Sequence, residues 1–287
     1  MRVIKKGWWG FIIFAGLIAA VVAAIAIMVC CPKTTNGNEG IRVPIIMYHD
    51  VEMSPVCEGD YLISTDTLAR DIRKLLEAGF QPISVSQLID YVYSGSELPQ
   101  KPVLLTFDDG YKSIQTQVLP LLEKYKIPAC VSIIGARAAA VEDGCDSADY
   151  MSWKDIRMIS KSEYIELVSH SAYLHVYRSR KGVSQLPDED AAHYQKMLTK
   201  DINAMNAYAD NEKITLLPVF AYPYGYVEPE AENVFHEQGF MATLTSEEHV
   251  NIISRDKDCL FQLGRLNRSA YMSTAQLILW LQNEKGE

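Results

Sequence analysis

The chain opens with a long apolar stretch. Residues 8–29 contain no charged side chain, and a helix of that length, at roughly 1.5 Å rise per residue, crosses a hydrocarbon core about 30 Å thick. Basic residues precede it, and positions 1–38 hold no acidic residue. Because positive charge stays on the cytoplasmic side, we expect a cytoplasmic stub and transmembrane anchor over residues 1–31. The rest of this single-pass cell-membrane protein is then extracellular.

Two other fates of the apolar stretch stay open. A cleaved signal peptide has an apolar region of about 7–15 residues and a small-residue cleavage site. This stretch is longer, and no such site follows it. Lipid modification of Cys30 or Cys31 is the second alternative, although Met28 and Val29 are bulky for that processing. An uncleaved anchor is therefore the preferred interpretation.

Beyond the anchor, short apolar runs alternate with amphipathic segments. Polar residues 32–40 are expected to form a linker, and residues 41–287 one extracellular domain. Apolar runs predict strands at 43–48, 103–107, 129–134, 164–168, 217–221, 240–244 and 260–263. Helical spacing predicts helices at 68–76, 85–93, 188–208, 229–238 and 274–283, the first capped by Thr65 or Asp66 and stopped by Gly79.

Strands that alternate with helices indicate βα units around a parallel sheet. Seven or eight such units in about 245 residues match the size of a (β/α) barrel. The predicted fold class is therefore α/β, with a barrel of about seven units and a doubly wound open sheet as the alternative. In a barrel, the active site lies at the carboxyl ends of the strands.

Charge and cysteine content limit the partners. Residues 1–38 hold four of the 27 basic residues, so the remaining 23 face all 36 acidic residues in the rest of the chain. An acidic outer domain argues against nucleic acid and suits a neutral or partly cationic glycan. Cys130 lies in an apolar run and is expected to be a buried thiol, whereas pairing of Cys57 with Cys145 stays open. The sequence does not indicate an oligomeric state.

Carboxylate and imidazole side chains stand where several predicted strands end. His49 follows the first strand, the Asp108-Asp109 pair follows the run 103–107, and His170 and His175 follow the run 164–168. Adjacent carboxylates repel each other and are costly to bury, and a divalent cation offsets that cost. One aspartate and two histidines would leave a fourth metal position for water. Taken alone, Asp-Asp-Gly is often only a turn, and a lone histidine is more often a core or surface residue.

Four segments together resemble the NodB-type polysaccharide deacetylases, carbohydrate esterase family 4. Residues 106–111 (TFDDGY) match the family's first motif, and 169–175 (SHSAYLH) resemble its metal-binding second motif. The histidines are five apart here, where the common form has four. The five-residue spacing, together with residues 47–49 (MYH) and 220–225 (FAYPYG), is similar to the pattern of the extracellular poly-N-acetylglucosamine deacetylases, one branch of the family. The resemblance covers nearly all of residues 41–270.

The resemblance implies a deformed (β/α) barrel that removes N-acetyl groups from an N-acetylglucosamine-containing polysaccharide of the cell wall or an exopolysaccharide. It makes Asp108 the general base. Asp109, His170 and His175 become the ligands of a divalent metal, with zinc as the first candidate and cobalt, manganese or iron as alternatives. The backbone N–H of Tyr224 would help to hold the developing oxyanion.

The chain departs from the family pattern at three points. Ala221 occupies the position of an arginine that orients the base, and Arg265 or Arg268 could replace it. A late histidine that serves as the acid is missing, as is an Asp-Trp pair. His49 is our candidate acid, and a strand-end histidine bonded to a backbone carbonyl is the equal alternative. Asp50 could orient His49 or cap a turn.

Other functions share these residues. An O-acetyl xylan-type esterase would use the same site, and a catalytically impaired glycan-binding module would keep the fold alone. Aromatic side chains that could stack on sugars, with core packing favoured for the first, are Trp153, Tyr173 and Tyr222. Basic residues interpreted as a solvated loop in preference to a substrate clamp are Arg178, Arg180 and Lys181.

Overall fold

The computed structural model describes residues 40–283, so the predicted anchor and nearly all of the linker lie outside the described residues. Among the described residues, no helix combines the length and apolar composition that a membrane crossing needs. The strands are β1 (Ile41–Val43), β2 (Ile45–Tyr48), β3 (Asp50–Glu52), β4 (Leu62–Ser64), β5 (Gln81–Ile83), β6 (Pro102–Phe107), β7 (Ala129–Ile133), β8 (Ile165–Ser169), β9 (Val219–Ala221), β10 (Ala242–Leu244), β11 (Asn251–Ile253) and β12 (Leu266–Asn267).

Helices follow most of the sheet strands. They are α1 (Thr65–Glu77), α2 (Val85–Ser94), α3 (Leu119–Tyr125), α4 (Gly135–Glu142), α5 (Trp153–Ile159), α6 (Ala191–Glu212), α7 (Pro229–Glu237) and α8 (Thr274–Gln282). A π-helical turn at Ile114–Val118 leads into α3, and 3₁₀ turns occupy Pro223–Gly225 and Lys257–Leu260.

The main sheet is parallel throughout its pairings. Its strand order is β10-β9-β8-β7-β6-β2-β12, and β5 pairs with the first half of β6. Leu263 makes a parallel bridge to Leu244 of β10, and three residues later Leu266 pairs with Ile46 of β2. The segment that ends in β12, at one end of the order, thus also contacts β10, at the other end. The fold is a parallel-strand α/β half-barrel, consistent with a deformed barrel.

Alternation along β6 separates the two sides of the sheet. Successive side chains on a strand point to opposite faces, and every residue of β6 is buried. Val103, Leu105 and Phe107 pack in the cluster that contains the apolar face of α1. Leu104 packs in a different cluster with residues of β2, β7, β8, β9 and β10. Thr106 and then Asp108 continue the face of Leu104, so Asp108 is directed to the interior of the half-barrel.

The predicted helix caps and edges needed correction. Ser64 caps α1 by accepting a hydrogen bond from the Thr67 N–H, so the prediction of Thr65 or Asp66 as cap was wrong. Gly79 follows the helix with φ +82°, as expected for a stop. The predicted strand at 260–263 was also misplaced, because Leu260 ends a 3₁₀ turn and the strand pairing centres on Leu266.

The described cysteines are unpaired thiols. Cys130 is buried on β7, as predicted, and burial raises its pKa well above the usual value. Cys57 and Cys145 are both exposed and do not form a disulfide in this structure. The fold is therefore held by its core and not by covalent cross-links within the described chain.

Candidate active site

The carboxyl ends of the parallel strands surround one cavity of about 230 Å³. Residues from the end of β2, from the segments that follow β6, β8 and β9, and from the segment before β12 meet there. All seven predicted site residues line it, together with six others: His49, Asp108, Asp109, His170, His175, Tyr224 and Arg265, with Met47, Tyr61, Tyr111, Tyr222, Gly225 and Ser246. The strand ends named from the sequence therefore lie at one place.

Asp108 forms a buried, bidentate ion pair with Arg265. The Nη1 and Nη2 atoms of Arg265 donate to its Oδ1 and Oδ2, each at 2.8 Å. Arg265 is itself fixed by donation from Nε to the carbonyl of Thr245 at 2.7 Å. Burial alone would raise the pKa of Asp108, but the charges of Arg265 and His170 outweigh it and hold the pKa well below its usual range. The carboxylate is thus ionised and fixed in orientation.

The oxygens of Asp108 are not equivalent. The hydroxyl of Ser132, on β7, donates to Oδ1 at 2.5 Å, so Oδ1 accepts two hydrogen bonds. Within the described chain, Oδ2 accepts only the bond from Arg265. Oδ2 therefore keeps a lone pair with which it can accept a proton.

Asp109, His170 and His175 form a group that could hold a metal ion. One ligand atom from each lies within 4.8 Å of the others. The Nε2 atoms of His170 and His175 are 3.4 Å and 3.0 Å from Asp109 Oδ1. A tetrahedral ion with bonds of about 2.0–2.2 Å separates its ligand atoms by roughly 3.3–3.6 Å. The donor set and spacing therefore fit a small divalent cation.

The second ring nitrogen of each histidine also has a partner. Nδ1 of His170 lies 2.8 Å from the carbonyl oxygen of Ala221, and Nδ1 of His175 lies 3.2 Å from the hydroxyl of Tyr224. Such outer contacts fix ring orientation and leave Nε2 free for a metal. Burial would raise the pKa of Asp109, but hydrogen bonds from both imidazoles hold it well below its usual value.

The loop that carries the histidines is anchored from α6. Both oxygens of Asp201 accept backbone N–H bonds, from Ala172 at 2.9 Å and Tyr173 at 2.7 Å. Ser171 adopts a positive φ of +73°, which turns the chain between the two histidines. This turn and anchor bring His170 and His175 to one carboxylate although their five-residue spacing fits no single helical face.

His49 lines the cavity as a half-buried imidazole. Its ring meets the ring of Tyr61 edge-on at 4.7 Å between centroids. In residues 40–283 its Nδ1 has no hydrogen-bond partner. Burial lowers the pKa of His49 despite the nearby charges of Asp108 and Asp109. Asp50 does not orient it, because that carboxylate accepts from Ser113 Oγ at 2.6 Å and from the Val51 N–H.

The turn at Pro223–Gly225 borders the cavity. Tyr224 has φ +60° and Gly225 φ +70°. A side chain at Gly225 would have its Cβ 1.7 Å from Ser246 Oγ, so glycine is required there. The ring of Tyr224 remains 41% exposed at the cavity rim. The turn therefore places Tyr224 beside His175, with 4.5 Å between the two ring centroids.

Two of the proposed sugar-stacking residues do not have that role. Tyr222 is buried, and its hydroxyl donates to Glu232 at 2.8 Å. Trp153 is buried too, and its indole N–H donates to the Gly135 carbonyl, which confirms core packing. Tyr173 is exposed, and its hydroxyl lies 2.8 Å from that of Tyr208.

Sequence reasoning missed several residues of the site. Ser132 could have been suspected, because it is a lone hydroxyl in the apolar run of β7. Tyr61 and Ser246 lie in irregular segments with no neighbouring motif, and the sequence carries no signal for them. Arg268, the alternative partner for the base, instead binds Asp71 at 2.7 Å, so Arg265 alone of the two contacts Asp108.

Comparison with known proteins identifies the family of the chain. The profile of the polysaccharide deacetylase family matches residues 95–243, about half of the chain. The poly-beta-1,6-N-acetyl-D-glucosamine N-deacetylase of Escherichia coli K12 is 29% identical over 225 residues, which cover 70% of this chain and 33% of that protein. The enzyme of that name from Staphylococcus aureus MSSA476 is 25% identical over 189 residues, covering 66% and 62%. The chain thus spans about a third of the first relative and under two thirds of the second.

Solved structures share the fold. IcaB from Ammonifex degensii superposes with a TM-score of 0.71 at 27% identity, covering 85% of this chain and 99% of that one. The Streptococcus pyogenes deacetylase PplD, solved with acetate, gives a TM-score of 0.68 at 20% identity, covering 85% and 100%. The second likeness concerns the fold alone.

Proposed function

Because the chain belongs to the polysaccharide deacetylase family, we propose that it hydrolyses the N-acetyl groups of an N-acetylglucosamine polymer. It would be a hydrolase of non-peptide carbon–nitrogen bonds. One observation carries the proposal: the Arg265–Asp108 pair adjoins the Asp109, His170 and His175 ligand set in a single cavity. The names of the curated relatives support poly-N-acetylglucosamine as the polymer.

The ligand set suggests which residues would hold a metal. Asp109, His170 and His175 offer one oxygen and two nitrogens, a set that suits zinc first and also cobalt, manganese or iron. When bound, such an ion supplies Lewis-acid polarisation of the acetyl carbonyl and a lowered pKa for the attacking water. The contacts of Ala221 and Tyr224 with the outer ring nitrogens would keep both imidazoles in the ligating orientation.

Asp108 would act as the general base. Its Oδ2 has the spare lone pair, and Arg265 prevents the carboxylate from rotating away. As Oδ2 accepts a proton from water, the water oxygen forms a bond to the acetyl carbon. A positioned general base is typically worth 10²–10⁴-fold in rate.

The remaining groups would serve the leaving nitrogen and the oxyanion. The backbone N–H of Tyr224 would donate to the carbonyl oxygen as negative charge develops, and one such donor is worth roughly 3–4 kcal/mol. His49 would donate a proton to the amide nitrogen as its bond to the acetyl carbon breaks. Because burial lowers the pKa of His49, its protonated form is a stronger acid. Acetate and a free amine result.

We place this reaction outside the cell, on a domain tethered by the uncharged stretch 8–29. The basic residues before that stretch support a cytoplasmic N-terminus. The lipid bilayer and the glycan polymer are then the two partners. The seven-strand parallel order supports a deformed barrel of about seven units.

The decisive test measures acetate release by the full-length chain. Metal is stripped and zinc or cobalt is restored, with N-acetylglucosamine oligomers as substrate. We expect metal-dependent release that is lost in Asp108→Asn and kept in Asp188→Asn, a matched change at an exposed aspartate. Release that survives both metal removal and Asp108→Asn would overturn the mechanism. Turnover of acetylated xylan alone would replace the function with ester hydrolysis.

A further inference from the structure

An exposed aromatic surface with one cation borders the cavity. We call it the rim surface and define it by Tyr177, Lys181, Tyr224 and Tyr226. The ring of Tyr177 lies 5.2 Å from that of Tyr224 and 6.3 Å from that of Tyr226. Tyr177 is 57% exposed. Tyr177 thus lies between the two other rings, and all three are partly exposed, so they form an aromatic platform open to solvent.

Lys181 is held over this platform. Its Nζ lies 5.1 Å from the ring centroid of Tyr177 and 5.4 Å from that of Tyr226, within the range of cation–π attraction. No ion pair joins Lys181 to a carboxylate within residues 40–283. The neighbouring Arg180, by contrast, is paired with Glu189 at 2.7 Å. The interpretation as a solvated loop therefore fails for Arg180, and Lys181 carries an unneutralised charge at the rim.

The backbone keeps Lys181 in place. Tyr177 and Lys181 form an antiparallel bridge. Gly182 has φ +57°, and a Cβ there would lie 2.6 Å from the Pro223 carbonyl oxygen. The hairpin that carries Lys181 thus packs directly on the turn of Tyr224, and the platform is a built feature of the cavity wall.

The rim surface is continuous with the metal-ligand group. The ring of His175 lies 4.5 Å from that of Tyr224, which in turn contacts Tyr177, with Lys181 beyond. Tyr224 lines the cavity itself. A polymer whose acetamide enters the cavity would therefore extend its adjacent sugar along these rings.

We propose that the rim surface binds the sugar next to the one being deacetylated, and that Lys181 makes this subsite select an N-acetylated neighbour. The inference rests on the proposed function. An acetylated sugar is neutral, whereas a deacetylated one carries an ammonium group that Lys181 repels. Two unit charges about 4 Å apart in water interact by about 1 kcal/mol, on the order of fivefold in affinity. Deacetylated residues would accordingly be spaced along the product and not clustered.

The test compares two pentamers of N-acetylglucosamine on the full-length chain. One is fully acetylated, and the other is acetylated only at its central residue. We expect kcat/KM for the first to exceed that for the second by on the order of fivefold. Lys181→Met should bring the ratio close to one, and Lys181→Glu should favour the deacetylated neighbours. Lys161→Met removes an exposed charge at the amino-terminal side of β8 and should leave the ratio unchanged. High salt should shrink the wild-type ratio.

Binding measured by calorimetry separates this inference from the reaction. Acetate release with a ratio that Lys181→Glu does not alter would overturn the subsite and leave the deacetylase standing. Selective binding that changes with Lys181, without acetate release, would support the subsite and overturn the reaction. Absence of both release and selective binding would overturn both.

Discussion

The last segment of the sheet carries two arginines, three residues apart, and each forms a buried ion pair with an aspartate from another part of the chain. Arg265 binds Asp108 with two bonds of 2.8 Å, and Arg268 binds Asp71 of α1 with bonds of 2.7 Å and 3.1 Å. All four side chains are almost fully buried. The first pair lines the active-site cavity, whereas the second joins the last segment to α1.

The two pairs differ in whether the aspartate can still accept another hydrogen bond or a proton. Both oxygens of Asp71 accept a further bond, Oδ1 from Thr274 at 2.5 Å and Oδ2 from Tyr48 at 3.4 Å. Asp108 receives one additional bond, at Oδ1 from Ser132, and Oδ2 keeps a free lone pair. The same ion pair thus serves stability where every acceptor is filled, and can serve chemistry where one acceptor is left open to a cavity.

The largest expected effect separates the two aspartates. Asp108→Asn removes the carboxylate oxygen that keeps a spare lone pair beside the ligand set, so acetate release should fall about 10²–10⁴-fold. Asp71→Asn should destabilise the fold and leave the kcat of the folded fraction unchanged. Initial rates of both variants at low temperature give kcat, and thermal melting curves give their stability. A rate for Asp108→Asn within tenfold of wild type would contradict the assignment.

The next effect concerns the structural pair. Arg268→Met leaves the carboxylate of Asp71 buried and unpaired, which should lower the free energy of unfolding by about 3–5 kcal/mol. Urea denaturation measures this. Arg265→Met is the matched variant and should lose similar stability together with activity. If Arg268→Met lost as much kcat as Arg265→Met, the division between the pairs would be wrong.

Smaller effects are expected from the hydroxyls that support each pair. Ser132→Ala and Thr274→Val each remove a hydrogen bond to a charged group, worth about 1.5–3 kcal/mol. Only Ser132→Ala should lower kcat, and by less than Asp108→Asn, because Arg265 still orients the carboxylate. Steady-state kinetics alongside melting curves distinguish the two. Equal changes in kcat would indicate that both hydroxyls act through general stability.

The smallest expected effect concerns a buried carboxyl group that forms no ion pair with an arginine among the described residues. Glu232 accepts from Tyr222 and Thr243, and burial raises its pKa above the usual 4.5. The folded state then binds the proton more tightly, so stability from this group is present below pH 4.5 and is lost as pH rises through the folded pKa. Glu232→Gln stays neutral, so its melting temperature relative to wild type should increase from pH 4.5 upward.

The control for Glu232 is on the same helix. Glu237 is exposed on α7, and Glu237→Gln should show no such trend. A constant difference between Glu232→Gln and wild type across pH would mean that Glu232 is ionised in the fold as readily as in the unfolded chain. Together with Asp108, this compares a buried acid whose pKa is lowered by an arginine with one whose pKa is raised by burial.

Much of the fold followed from local patterns. The uninterrupted apolar run of β6 and the helical spacing of α1 predicted those elements within one to three residues. A strand buried on both faces needs apolar residues throughout, and a helix buried on one face needs them at helical spacing. Edges were harder. β12 is two residues long and its place depends on pairing with β2. The short helices α3, α4 and α5 were not predicted at all.

The sequence by itself determined which side chains stand at strand ends, since carboxyl ends of parallel strands meet at one edge. It placed Asp108, Asp109, His170 and His175 there from their order along the chain. It named Arg265 as the site arginine but kept Arg268 as an alternative partner for the base. Their separation of three residues puts them on opposite faces of an extended segment, but only pairing of that segment beside β2 decides which face is interior. Tertiary structure therefore assigned Arg265 to Asp108 and Arg268 to Asp71.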